Sequence, residues 1–137
     1  MKEDQIILLL EDDEVDVTAI KRTLKELQLK NPLVVCENGA KGLEWLRANS
    51  KTLPGMILLD INMPVMNGLE FLEKIKPDAA LKKIPRVMLT TSMQESDRMK
   101  SAELGIAGYV LKPMNSAKYL AVMRTLATYW RESESVS

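Results

Sequence analysis

The chain has 137 residues, a length that favours one domain, and its 46% hydrophobic and 28% charged content is that of an ordinary globular protein. Lysine plus arginine number 19 and aspartate plus glutamate 19, so the formal net charge is zero and gives no global reason to bind nucleic acid or an anionic membrane. Histidine is absent, which excludes a Ser-His-Asp triad, most zinc sites and a phosphohistidine on this chain, and the single Cys36 excludes an internal disulfide framework.

The first apolar run, residues 6–10, is too short for a signal-peptide core or a membrane span, so a cytoplasmic protein is expected. Val17, Ile20, Leu24 and Leu27 follow at steps of three and four, the spacing of a buried helix face. Leu33–Cys36 is the second run, with Cys36 expected as a small buried apolar residue. Behind it Asn38 opens a helix whose face is Ala40, Leu43 and Leu46. Met56–Leu59 is the third run, followed by Leu69, Leu72 and Ile75. The fourth, 87–89, precedes a helix over about 96–104 that closes at Gly105 and has a thin apolar face. The fifth, 109–111, precedes a last helix over about 116–130, opened by Asn115. Each run is continuous rather than alternating, which predicts strands buried on both faces. Five strand–helix repeats predict an α/β fold: a doubly wound five-stranded parallel sheet in the flavodoxin-like order 2-1-3-4-5, with helices on both faces. The domain is expected to span 1–131, with 132–137 a disordered tail.

Ligands of a doubly wound sheet bind at the carboxyl ends of its strands. There the first strand delivers Glu11, Asp12 and Asp13, the third Asp60, the fourth Thr90, Thr91 and Ser92, and the fifth Lys112. Three negative charges from Glu11, Asp12 and Asp60 are costly together. Lys112 offsets one, and a divalent cation with oxygen ligands offsets two; magnesium suits such a set. The metal would shield Asp60 as it attacks phosphorus, with Thr90 and Lys112 binding phosphoryl oxygens. Singly, each residue has a plainer role: Glu11 and Asp12 as helix caps, Asp60 in a turn, Lys112 in solvent, Thr90 and Tyr109 as strand residues. Their arrival at one edge favours the site. A flavin carrier of the same fold would need a Ser, Thr and Gly-rich phosphate loop where this chain has Glu11-Asp12-Asp13-Glu14. An aspartyl-phosphate phosphatase would carry its nucleophile on the first strand, with a second Asp two places on. Here the acceptor is on the third strand and Asn62 holds that place.

Residues 8–13, the Asp60-Ile61-Asn62-Met63-Pro64 run with Asn67-Gly68, Thr90, and residues 108–113 closely resemble the receiver domain of two-component response regulators, over about residues 5–130. The resemblance implies that Asp60 takes a phosphoryl group from a phosphohistidine on a sensor histidine kinase, or from a small donor such as acetyl phosphate. It implies Mg2+ held by Asp12, Asp60 and the backbone carbonyl of Asn62, with Glu11 acting through a water. It further implies that Thr90 moves toward the phosphoryl group, that Tyr109 turns inward as the aromatic switch, that Lys112 pairs with the phosphoryl group, and that the bond before Pro113 is cis. Asn62 and Ser92 occupy the positions that tune dephosphorylation. Glu11 stands where aspartate is commoner, and Met114 where phenylalanine is frequent. Such a chain is not an enzyme beyond catalysing its own phosphorylation and dephosphorylation. Asn31-Pro32-Leu33, residues 89–92 and Tyr129-Trp130 resemble the small regulators that partner bacterial and cyanobacterial phytochromes. With no output domain expected, the switch acts through a downstream phosphotransfer or effector protein. The alternatives are a phosphorelay intermediate and an unphosphorylated docking module.

The last helix carries two apolar stripes about 100° apart on a helical projection. One is Leu120, Met123, Ala127 and Trp130; the other is Tyr119, Val122, Leu126 and Tyr129. One stripe covers a sheet, so the second is expected as a face for a partner or a second copy of the chain. In receivers the fourth helix, fifth strand and fifth helix form the surface that changes on phosphorylation.

Overall fold

The computed structural model describes residues 4–112 and 116–134, the side chains of 116, 119, 127 and 129–134 excepted. In chain order they form β1 (Ile7–Leu10), α1 (Glu14–Glu26), β2 (Leu33–Cys36), α2 (Gly39–Ala48), β3 (Met56–Leu59), α3 (Gly68–Ile75), β4 (Arg86–Thr90), α4 (Glu95–Glu103), β5 (Gly108–Leu111) and α5 (Ser116–Glu134), with a 3-10 turn at Leu81–Lys83. The strands make one parallel sheet in the order β2-β1-β3-β4-β5, the order expected.

Side chains alternate across a sheet, and both faces are apolar here. Leu8, Leu10, Ile57, Leu59 and Met88 point to one side, where α2, α3 and α4 lay down Leu43, Leu46, Phe71, Leu72, Ile75 and Leu104. Ile7, Leu9, Met56, Leu58, Val87 and Leu89 point to the other, against Ile20 and Leu24 of α1 and Met123 of α5. The expectation of burial on both faces holds for β1, β3 and β4, whose residues are all buried. It fails at β2 and β5, where Val35 and Leu111 are exposed, because edge strands lack a neighbour on one side.

Asn38 caps α2 by accepting from the Lys41 N–H at 2.9 Å, and Gly105 follows α4 in the left-handed conformation, φ 83°. Cys36 is buried and unpaired, and burial raises its thiol pKa, which keeps it protonated and inert. In α3 the inward face is Phe71, Leu72 and Ile75, while Leu69 is only partly covered. Phe71, the largest fully buried side chain among the described residues, thus lies off the three-step spacing that starts at Leu69.

β4 begins one residue earlier than its apolar run, at Arg86. That buried guanidinium bends back to donate to the carbonyls of Lys82 (2.7 Å), Ile84 (2.9 Å) and Gly105 (2.7 Å), which ties the turns at the amino end of the sheet together. Burial lowers its pKa.

α5 runs past the expected end at 130 to Glu134, since Arg131, Glu132 and Ser133 carry no helix breaker. Met123 is fully buried, but Leu126, expected on the outward stripe, also packs partly against the core. Among the described side chains of α5, the core-facing ones thus come from both stripes. The side chains of Tyr119 and Tyr129, the Asn115 cap, Met114 and the bond before Pro113 lie outside the described residues. Among the described residues no helix is long and apolar enough to cross a membrane.

Candidate functional site

The parallel ladder runs one residue beyond the strands, and this fixes the site. The Glu11 N–H donates to the Cys36 carbonyl (2.9 Å), the Asp60 N–H to that of Leu10 (3.1 Å), and the Lys112 N–H to that of Thr90 (2.8 Å). Glu11, Asp60 and Lys112 are thus held by sheet hydrogen bonds at one edge rather than left in mobile loops. After β1, Asp13 caps α1 by accepting from the N–H groups of Val15 (2.8 Å) and Asp16 (3.1 Å), so the helix opens immediately and brings Asp16 to the same edge.

Lys112 is the centre of the cluster. Its Nζ donates to Glu11 Oε1 (2.5 Å), Asp16 Oδ2 (2.7 Å) and Asp60 Oδ2 (3.0 Å). An ammonium has three N–H groups, and each goes to a different carboxylate. The other Asp60 oxygen, Oδ1, accepts from the Ile61 N–H at 2.7 Å. Burial pushes the Glu11 carboxyl up to about 7, against the opposing pull of Lys112. Burial also works to lower the Lys112 pKa, but the bonds from Asp16, Glu11 and Asp60 outweigh it and hold the ammonium above the usual lysine range.

Asp12 stands at the same edge with its side chain exposed, and Asn62, two residues past Asp60, is exposed as well. The four carboxyl groups of Glu11, Asp12, Asp16 and Asp60 stand against the single ammonium of Lys112, so the edge is short of positive charge. Among the described residues no three acidic side chains are already arranged to hold a metal ion; Glu11, Asp16 and Asp60 converge on the ammonium instead. The donor chemistry nonetheless fits a hard divalent cation, which takes carboxylate oxygens while keeping several waters.

Thr90 is fully buried, and its Oγ1 accepts from the Ser92 N–H at 3.2 Å. Ser92 Oγ donates to Asp97 Oδ2 (2.6 Å) and accepts from the Gln94 N–H (3.3 Å), while the Tyr109 hydroxyl donates to the Ser92 carbonyl (2.9 Å). Ser92, expected only as a tuner of dephosphorylation, is the junction between Thr90, Tyr109 and the first turn of α4. That helix buries little besides Ser101 and is weakly anchored to the core.

The β3–α3 loop is tight. The Met66 N–H donates to the Pro64 carbonyl (2.7 Å) across Val65, whose φ of 66° is strained for a β-branched residue. Asn67 and Glu70 then form a reciprocal capping box, and the Gly68 N–H donates to the Ile61 carbonyl at 2.9 Å.

Of the expected residues, Glu11, Asp60 and Lys112 are in direct contact, Thr90 and Tyr109 meet through Ser92, and Asp12 and Asn62 border the group. Asp16 and Asp97 were not expected. An acid in the first turn of a helix reads as a complement to the helix dipole, and nothing in the spacing joins Asp16 to a lysine 96 positions away.

The family model of the response regulator receiver domain matches residues 7–124. Response regulator Rcp1 of Synechocystis sp. is 32% identical over 133 residues, which cover 94% of this chain and 90% of Rcp1. The crystal structure of the phosphorylated cyanobacterial phytochrome response regulator RcpA superposes with a TM-score of 0.87 at 31% identity, covering 95% of this chain and 96% of RcpA. The Mn2+-bound form of Rcp1 gives a TM-score of 0.82 at 32% identity over 92% of this chain and 94% of its own. With the acid–lysine edge, the strand order and these likenesses in agreement, the chain belongs to the response regulator receiver family.

Proposed function

We propose that this chain is a phosphorylation switch: Asp60 accepts a phosphoryl group with Mg2+ bound at the acidic edge, and the chain signals through the α4–β5–α5 surface. The observation that carries the proposal is the Lys112 ammonium, bonded to both Asp60 and Glu11 at the carboxyl end of the sheet. Asp60 forms the new O–P bond as the donor's bond to phosphorus breaks, the leaving group being the imidazole of a phosphohistidine or acetate. When bound, the cation neutralises charge on the transferring oxygens. Glu11, Asp12 and Asp60, with the Asn62 carbonyl, would hold it. Lys112 stabilises the phosphoryl oxygens, and the buried Thr90 hydroxyl donates its O–H to one of them, a move that draws Oγ1 away from the Ser92 N–H.

That move links chemistry to signal. Ser92 touches Thr90, Asp97 and Tyr109, so its release loosens α4 and Tyr109 together. Phosphorylation adds about −1.5 to −2 of charge, and reversing a 1:99 population takes about 5.5 kcal/mol. Thr90→Ala is therefore expected to accept phosphate yet signal poorly. The test is heteronuclear NMR with Mg2+ and beryllofluoride: wild-type shifts extend from Asp60 through Ser92 to Tyr109, and Thr90→Ala shifts stop short of Tyr109. Absence of any shift in the wild type would favour a docking module. Full propagation in Thr90→Ala would remove Thr90 from the relay.

Cation affinity is expected to rise with pH. Glu11 must be ionised to bind metal directly or through water, and its carboxyl sits up to about 7. Its ionised fraction grows about tenfold between about pH 6 and pH 8, and Mg2+ affinity should follow. Calorimetric titration checks this; Glu11→Gln should bind more weakly and lose the slope over that range.

The likeness to phytochrome response regulators supports a phytochrome-type sensor histidine kinase as donor and a cytoplasmic place of work. Phosphotransfer from such a kinase should outpace that from an unrelated one. The outward part of α5, including Val122, is the proposed contact with a target or a second copy. Sedimentation with and without beryllofluoride separates those two.

A further inference from the structure

We propose that Asp16 is a positioning residue for phosphoryl transfer: it anchors the Lys112 ammonium from outside the set of carboxylates that would take the cation. The inference rests on the reading of Asp60 as phosphoacceptor. Lys112 spends its three N–H groups on three carboxylates, and the partners differ in what the reaction asks of them. Asp60 becomes an acyl phosphate, so its contact with Nζ passes to the phosphoryl group. Glu11 belongs to the cation's ligand sphere. Asp16 belongs to neither task, since it projects from the first turn of α1, with its backbone N–H held by the Asp13 cap.

The burial of the pair points the same way. The Lys112 side chain is 5% exposed and cannot reorient into solvent without leaving the site, whereas Asp16 is 24% exposed and lies at the mouth of the cluster. A charge-assisted bond of 2.7 Å from there holds the flexible lysine stem in one rotamer. Asp16 thus fixes where the ammonium stands before phosphorus arrives. Such preorganisation raises rate by removing a search at the moment of reaction. The plain alternative is an acid that merely complements the α1 dipole, and that role would not depend on Lys112.

The test uses the full chain with Mg2+ and acetyl phosphate, following phosphoryl gain by intact mass. Asp16→Ala is expected to slow the gain about tenfold and Asp16→Asn, which keeps an acceptor oxygen, by less. Mg2+ affinity of the unphosphorylated protein should stay within about threefold of wild type. In a Lys112→Ala background, verified folded by its melting transition in Mg2+, adding Asp16→Ala should change the rate less than about twofold. As a readout independent of that variant, hydrogen exchange at the Lys112 ammonium, seen by 15N NMR, should speed up about tenfold in Asp16→Asn. An unchanged rate in Asp16→Ala, an equal loss with and without Lys112, or unaltered ammonium exchange overturns the proposal. A wild type that takes no phosphoryl group overturns the parent reading instead, and the ammonium exchange still tests the anchor.

Discussion

Lys112→Ala is expected to destabilise the metal-free protein by about 3–5 kcal/mol and to bind a divalent cation more tightly than the wild type. The ammonium is bonded to three carboxylates, of which Glu11 and Asp60 are themselves buried. Removing it leaves those charges facing one another in a poorly solvated edge, and that repulsion, more than the lost bonds, sets the size of the effect. Burial already pushes the Glu11 carboxyl up to about 7 against the pull of Lys112; without the lysine it keeps its proton to still higher pH, so the loss is smaller while Glu11 is neutral and grows as the pH rises past that range. A divalent cation no longer competes with the ammonium and meets a more negative edge, so saturating Mg2+ should recover most of the stability. Urea melts at about pH 6 and pH 8, with and without Mg2+, check each part. A variant as stable as wild type without metal at the higher pH would mean that Lys112 is not the counter-charge of the cluster.

The second large effect is expected from one methyl group. A Cβ on Gly68 would stand 2.1 Å from the Asp60 carbonyl oxygen and 3.1 Å from the Ile61 Cα, both backbone atoms that cannot swing aside. Gly68 opens α3 and sits against the segment that carries the acceptor, with its own N–H bonded to the Ile61 carbonyl. Gly68→Ala must therefore push α3 off the sheet or shift Asp60, at a cost of about 3 kcal/mol. Because the displaced atoms belong to Asp60 itself, phosphorylation should slow as well, out of proportion to the fraction unfolded. Denaturant melts and phosphorylation rates on the same preparation separate the two. Stability and rate both at wild-type level would show that the α3 start is not packed as described.

Much of this was legible in the sequence because the relevant forces are local and periodic. A strand buried on both faces must be a continuous apolar run, and β1, β3 and β4 read that way. The acids and the lysine were legible because each directly follows such a run, and a parallel sheet delivers every strand's carboxyl end to the same edge. The parts that escaped are those set by tertiary packing. Phe71 lies off the three-step count because α3 crosses the sheet with Phe71 and Leu72 both inward. Arg86 precedes the apolar run of β4, and its guanidinium is buried by carbonyls that only the folded turns bring together. Asp16 and Asp97 carry no spacing signal toward Lys112 and Ser92. Their partners come from other elements, or from a loop conformation that the sequence does not announce. Leu126 of α5 packs partly against the core for the same reason: which side of a helix faces inward depends on its roll.

The most direct measurement is the intact mass of the wild type and of Asp60→Asn after incubation with acetyl phosphate, each with and without Mg2+. A gain of one phosphoryl group by the wild type alone, and only with the cation present, is the result predicted. A gain that survives in Asp60→Asn, or a wild type that gains nothing from acetyl phosphate or a phosphorylated histidine kinase with Mg2+ present, would contradict the account.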